Sequence, residues 1–402
     1  MISAHLHTDK PRVLFLSRWY PGRYDSMLGL FVQRHAEVMA SAYQVTVISL
    51  HGSEGKANPL FGLYVTFHKE EVLEIRVYYR KKAGGIPFLN PVINTWRYAW
   101  AFLKAWKHYR RLHGLPCLIH VNVLTRNALI AFLLKCRYGI PYIITEHWSR
   151  YLPESFAFKG VIRRWISRKT VKKAMAVSAV SRRLKKAMQN AGLEHKCFKL
   201  VYNYIDTVFF QPVPKDKQNA KVNFLHVSCF DERSKNISGI IQVAARLLRE
   251  GYDFTLTMTG NDPDFDIAGI YKKYEVTSHN LVFKGVLEGE ELAGAFREAD
   301  YLVLFSNYET FGIVVYEGMA AGVPVISTNT ADIAEHLDEH KGMMIEPGDL
   351  EALYNRMKYC IESRPVYDKA HLRQYAVKHF SKEAVFDQIN ELYQIALKKQ
   401  EC

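Results

Sequence analysis

The chain has 402 residues, too many for one ordinary hydrophobic core, so two domains are expected. Hydrophobic residues make up 49% and charged ones 23%, a balance that excludes general disorder and fits a soluble globular enzyme. The formal net charge is +14, and no run reaches the roughly 18–20 apolar residues of a membrane span. Val13–Ser17 is a short apolar run ending in a small polar residue, suited to a buried parallel strand. A loop from Arg18 to Leu28 carries Pro21 and Gly22 and leads to Gly29. Beyond it Phe31, Arg34, His35, Val38 and Met39 fall at helical spacing. Strands are expected at Val45–Ser49, Glu74–Tyr78, Leu118–Val121 and Tyr142–Thr145, with a long aromatic helix over Ile93–Leu112. Ala176–Val180 closes this half before a basic helix from Arg182.

Gln211–Asn219, with two prolines and a polar run, reads as a linker. The alternation then restarts: strand Phe224–Ser228, helix Ile237–Glu250, and strands Phe254–Met258, Leu281–Phe283, Tyr301–Phe305 and Val323–Ser327. A last helix from Ser381 to Lys399 begins at a serine cap and ends in lysines. Strands alternating with helices predict an α/β chain of two Rossmann-like, doubly wound parallel-sheet domains facing across a cleft. Residues 1–205, joined by the C-terminal helix at about 381–402, would form the first domain, and 206–380 the second.

The charge is unevenly placed. Residues 1–200 hold 33 Lys and Arg against 10 Asp and Glu, whereas the remainder holds 21 against 30. A basic half of this kind predicts an anionic surface, lipid or nucleic acid, as partner; the alternative is a merely solvated basic face. Six cysteines at 117, 136, 197, 229, 360 and 402 form neither a disulfide framework nor a zinc knuckle. Met1–Arg12 lacks the apolar stretch of a secretory signal. Together these predict a cytoplasmic setting.

The most informative local segment is Ser306–Pro324, which reads as strand end, loop, helix, glycine stop and strand. Gly312 marks the helix start, where the amides of Phe311, Gly312 and Ile313 can face an anion with the dipole behind them. Glu317 lies one turn beyond Ile313, roughly 6 Å along the axis, where a carboxylate can accept from a ribose diol. Glu309 precedes the helix, nearer any group attached to the phosphates. Asp262 and Asp264 suggest a metal motif, but two loop carboxylates make a poor metal site, and that reading is set aside.

These residues resemble the glutamate, seven residues, glutamate motif of the retaining glycosyltransferases of family 4, which have the GT-B fold. Other stretches are similar in order. Pro21 to Val32 resembles the family's first glycine loop, and Glu146, His147 and Trp148 resemble its histidine position. Val177–Ser181 and Val201–Asp206 resemble the run into the hinge. The sequence departs from the pattern at Gly318, where alanine is usual, and at Tyr204, where glycine is usual. Cys229 stands at the clamp arginine. Lys235 fits the clamp lysine, and whether Arg233 supplies the second cation stays open.

The resemblance implies donor binding by Gly29, Ser228, Arg233, Lys235, Glu309, Phe311, Gly312, Ile313 and Glu317, with His147, Lys235 and Glu309 as the catalytic set. It implies no metal and no cofactor. The expected activity is retaining transfer of a sugar from a nucleoside-diphosphate donor, UDP foremost, to a polysaccharide or lipid-linked acceptor of surface glycan synthesis. The basic half would meet an anionic membrane at its cytoplasmic face, and nucleic acid is not an expected partner. The alternatives are a sugar-nucleotide epimerase of the same fold and a non-catalytic basic protein binding membrane or nucleic acid. A nicotinamide oxidoreductase would need a Gly-x-Gly-x-x-Gly after a strand, and none is present.

Overall fold

The structure is a computed structural model that describes residues 9–54, 60–69, 71–84, 89–155, 157–213, 221–260, 266–277, 279–330 and 332–398. Asp262, Asp264 and most of the expected linker lie outside the described residues. Contacts divide the chain into two units. One comprises Met1–Val180, Leu184–Tyr204 and Val385–Cys402; the other comprises Ser181–Arg183 and Ile205–Ala384.

The first unit begins with β1 (Arg12–Ser17), α1 (Leu30–Ala40), β2 (Gln44–Ser53), β3 (Phe61–His68) and β4 (Val72–Arg80). It continues through α2 (Asn90–His113), β5 (Leu118–Asn122), α3 (Thr125–Tyr138), β6 (Tyr142–Glu146), α4 (Val161–Lys173), β7 (Val177–Ala179), α5 (Arg182–Asn190) and β8 (Phe198–Leu200). Its eight strands run β3-β4-β2-β1-β5-β6-β7-β8. Every pairing is parallel except the edge pair β3–β4. All five residues of β5 and of β6 are buried, as a parallel sheet covered on both faces requires. From β1 the chain winds one way to β2 and later resumes on the other side at β5. The β1/β5 boundary is therefore a topological switch point, outside whose carboxyl ends ligands bind in such sheets.

The second unit contains β9 (Val222–Val227), α6 (Glu232–Lys235), α7 (Ile237–Arg249), β10 (Phe254–Thr259), α8 (Ile267–Tyr274), β11 (Leu281–Phe283), α9 (Gly289–Glu298) and β12 (Tyr301–Leu304). It goes on through α10 (Ile313–Ala320), β13 (Val325–Thr328), α11 (Ile333–His336), β14 (Gly342–Ile345), α12 (Leu350–Ser363) and α13 (Lys369–Phe380), and α14 (Lys382–Lys398) ends the chain's helices. The six-stranded sheet is β11-β10-β9-β12-β13-β14, parallel throughout, with its switch point at β9/β12. Most of α14 belongs to the first unit. Val385, Ile389, Leu392, Tyr393 and Ala396 join Val13, Phe15 and Val32 in one core, and Tyr393 shares a 2.9 Å hydrogen bond with Nδ1 of His120.

Three strands were not expected from the sequence: β3, β8 and β14. Another is displaced. The run Val323–Ser327 becomes β13 at Val325–Thr328, because the Val323 amide closes α10 by donating to the Gly318 carbonyl at 2.8 Å and Pro324 has no N–H to give a ladder.

Candidate functional site

In the second unit, polar residues gather at the carboxyl ends of β9 and β12, which pair through Phe224–Tyr301 and Leu225–Leu302. After β9 the chain turns through Ser228 and the left-handed Phe230 (φ 53°) into the short helix α6. His226 fixes this turn. Its Nδ1–H donates to the Val303 carbonyl at 2.8 Å, so Nε2 accepts from the Ser228 hydroxyl at 2.8 Å, and Ser228 Oγ in turn accepts the Phe230 amide at 3.2 Å. Burial lowers the His226 pKa to about 4, with the bond to Val303 opposing and the Lys235 charge reinforcing it. The proton of Ser228 is thus committed to shaping the loop.

Lys235, the last residue of α6, forms an ion pair with Glu309 in the β12–α10 loop. Glu309 also accepts from the Ser306 hydroxyl at 2.8 Å. Burial pulls the Lys235 pKa down, but the Glu309 charge and hydrogen bond, with Cys229 and Asp231, raise it above the ordinary lysine value. The lysine is therefore a fixed cation at neutral pH. Two further bonds clamp the loops together: the Asn307 amide to the Ser234 carbonyl at 2.8 Å, and Asn307 Nδ2 to the Arg233 carbonyl at 3.1 Å. Arg233 is exposed, whereas Lys235 is largely buried; two residues apart on a helix they diverge by about 200°.

Gly312 caps α10 with φ 80° and ψ 50°, the left-handed conformation that a glycine adopts without penalty. A Cβ there would also lie 3.0 Å from Ile333 Cδ1. Phe311 is buried against Tyr316 and Phe380, Ile313 is half-buried, and Glu317 is buried within α10. The structure thus brings Lys235 and Glu309 into contact, with Gly312, Ile313 and Glu317 following on the next helix.

In the first unit, Gly29 caps α1 with φ 72°, and a Cβ would come within 2.3 Å of the Trp19 backbone, so the loop closes on itself only with glycine. His147 follows β6 and is buried. Its Nε2 lies 3.2 Å from Asn122 Oδ1 at the end of β5, and its ring stacks on Phe31 at 4.4 Å. Burial first, then His35 and His120, push its pKa well below the ordinary histidine value against a smaller pull from Asn203, so the ring is neutral at pH 7.

Sequence reasoning missed Asn122, the bond from Ser306 to Glu309 and the bracing role of Glu146. Glu146 accepts from the amides of Leu124, His147 and Trp148 at 2.9–3.0 Å and from the Tyr151 hydroxyl at 3.2 Å. The available signal was a polar residue directly after an apolar strand run.

Two family descriptions match the chain in succession: "Glycosyltransferase Family 4" over residues 28–209 and "Glycosyl transferases group 1" over 209–379. The chain belongs to the family 4 glycosyltransferases, whose fold is GT-B. N-acetyl-alpha-D-glucosaminyl L-malate synthase of Bacillus anthracis is 25% identical over 69% of this chain and 74% of its own. Among solved structures, sucrose-phosphate synthase from Thermosynechococcus elongatus matches with a TM-score of 0.71 at 20% identity, covering 96% of this chain and 98% of the other. The Anabaena protein Alr3699/HepE in complex with UDP-glucose matches with a TM-score of 0.69 at 16% identity, covering 95% and 99%. At these identities the structures establish the shared fold alone.

Proposed function

We propose that this glycosyltransferase moves a sugar from a nucleoside-diphosphate donor, UDP foremost, to a polysaccharide or lipid-linked acceptor of surface glycan synthesis. Transfer would retain the anomeric configuration, need no metal, and take place at the cytoplasmic face of an anionic membrane. The observation that carries the reading is the Lys235–Glu309 pair at the β9/β12 switch point, immediately before the glycine-capped helix α10. Departure of a diphosphate requires positive potential already aimed at its oxygens. Lys235 supplies a fixed charge, and the first amides of α10, at Ile313 and beside it, supply oriented dipoles. Phe311 anchors that helix end in the core. Glu317 on α10 would take the ribose hydroxyls, and Glu309 would hold Lys235 in place while facing the donor. Arg233 and Ser228 shape the α6 side of the same loops, and Gly29 lets the first loop approach a phosphate. In the first unit, neutral His147 would accept from or donate to a sugar hydroxyl without adding charge. That the Anabaena relative was solved with UDP-glucose supports a UDP donor here.

A thermal-shift screen over UDP, GDP and their sugars tests the donor. A ligand at one hundred times its Kd adds about 2.7 kcal/mol of stability, so the matching nucleotide should raise the melting temperature clearly above the rest. Glu317→Ala should then weaken UDP binding in calorimetric titration; undiminished affinity would remove Glu317 from the donor site.

A further inference from the structure

We infer that the first unit contains a binding site for an oxyanion, phosphate or carboxylate, carried by the acceptor, built from Arg18 and Arg150 over Trp148 with Arg126 over Tyr98. Calling the ligand an acceptor rests on the glycosyltransferase reading; the anion site itself does not.

The three arginines come from the loop ends at the β1/β5 switch point and its neighbour β6. Arg18 directly follows β1, Arg126 is in the first turn of α3 after β5, and Arg150 follows β6. The Arg150 guanidinium lies 3.2 Å from the centroid of the Trp148 ring, and that of Arg18 lies 5.6 Å from the same ring. Arg126 is over Tyr98 at 5.2 Å. Arg150 is only 7% exposed, yet its Nε has no hydrogen-bond partner. Among the described residues, none of Arg18, Arg126, Arg150 and the nearby Arg163 forms an ion pair. The adjacent carboxylate, Glu146, is already occupied by three amides and a tyrosine hydroxyl.

Such an arrangement is unfavourable without a ligand. Although the Arg18 side chain reaches solvent, the protein packed around it first, and then the charges of Arg126 and Arg163, lower its pKa; burial, opposed in part by Tyr151 and Glu146, lowers that of Arg150, with Arg163 and Arg18 adding to the fall. Helix N-termini favour acidic side chains, but the first turns of α3 and α4 contain none and present Arg126 and Arg163. The preceding Val123, a β-branched residue, is held at φ 66°, a backbone outlier of the kind that clusters at functional sites. An oxyanion satisfies all of this at once. Its oxygens match the planar fork of arginine bidentately, and it neutralises charges that otherwise repel. Trp19 meets Trp148 edge-on at 4.8 Å, adding an aromatic wall beside the cations that suits the apolar side of a sugar ring. In the proposed function the donor diphosphate has its own cation, Lys235, in the second unit, which leaves this site to the acceptor.

The test is calorimetric titration of the full chain with inorganic phosphate, with glucuronate, and with UDP, in the wild type and in the Arg18→Gln/Arg126→Gln double variant, whose replaced side chains are exposed. Phosphate and glucuronate should bind the wild type with an affinity that falls as salt rises, and the double variant should lose at least about tenfold for both, with UDP affinity within about twofold of wild type. Equal phosphate affinity in the two proteins, or no anion binding to the wild type, overturns the proposal. A parallel loss of UDP affinity also overturns it, by giving the arginines to the donor. Failure of the wild type to bind UDP would instead count against the proposed UDP donor, while the phosphate comparison still reports on the arginines.

Discussion

Lys235 and Glu309 are each other's main compensation. The lysine side chain is 17% exposed and the glutamate 9%, so neither is well hydrated when the other is removed. Breaking such a pair from one side typically costs about 3–5 kcal/mol; partial exposure places Lys235→Ala nearer about 2–4 kcal/mol. The same change removes the charge proposed to meet the diphosphate. A charge-assisted hydrogen bond contributes about 1.5–3 kcal/mol, so the UDP dissociation constant should rise by roughly 10- to 100-fold. Glu309→Gln behaves differently. It keeps its shape and can still accept from Ser306, but it leaves the Lys235 charge without its counterion, so it should melt below the wild type while still holding UDP, and its turnover should fall. Calorimetry and UDP titration on the two variants separate the roles. If Lys235→Ala binds UDP as tightly as the wild type, the pair is a structural ion pair and the donor assignment fails.

Helices α2 and α4 combine two surfaces. On α2, Tyr98, Ala101, Phe102, Ala105, Trp106 and Tyr109 turn inward, while Val92, Trp96, Trp100 and Leu103 form an exposed stripe on the opposite side. Trp165 on α4 is likewise exposed, and none of α2, α3 and α4 contains an Asp or Glu. Exposed tryptophan beside unopposed cations fits the headgroup region of an anionic bilayer, where each nearby cation contributes about 1 kcal/mol. Sedimentation with phosphatidylglycerol vesicles at low salt should exceed that with phosphatidylcholine. Trp96→Ser with Trp100→Ser should cut it roughly tenfold or more, since each buried aromatic contributes about 1.5–3 kcal/mol. Equal binding to both lipids, or none lost in the variant, rejects the membrane face.

The α2 wheel also shows where sequence reading stops. The run Ile93–Leu112 announced a helix, but its tryptophans divide between core and solvent, and only packing tells Trp106 from Trp96. β1 was legible because its apolar run is continuous, and β10 because its apolar residues alternate with threonines. β8 and β14 span three and four residues, too few to show a period, and β3 is a half-exposed antiparallel edge. Of the site, the glycine-started α10 was legible from Gly312 and its flanking strands. The bond from His226 to the Val303 carbonyl and the approach of Arg18 to Trp148 were not, because they join residues far apart in sequence.

Buried histidines are spread through both units, and they link stability to pH. Burial is the leading cause in each case: it lowers His35, His51, His226 and His336 to about 4, and places His120 and His147 well below the ordinary value. Unfolded histidine titrates near 6.5. Between about pH 6.5 and 4 the unfolded chain therefore binds protons that the folded chain refuses, and stability falls with pH through that window. Above about 6.5 both states are neutral at these sites and the contribution is constant. At pH 5.5 each of the four histidines at about 4 has lost about 1.4 kcal/mol, shared between two units. One kcal/mol corresponds to about 2–4 °C in a unit of this size, so melting at pH 5.5 should fall more than about 5 °C below that at pH 7.5. The fall begins above the range in which ordinary carboxylates titrate, which separates it from general acid denaturation. A melting temperature that is flat from pH 7.5 to 5.5 and drops only below 4.5 would mean that these imidazoles are hydrated, and with them the neutral His147 that the proposed sugar contact requires.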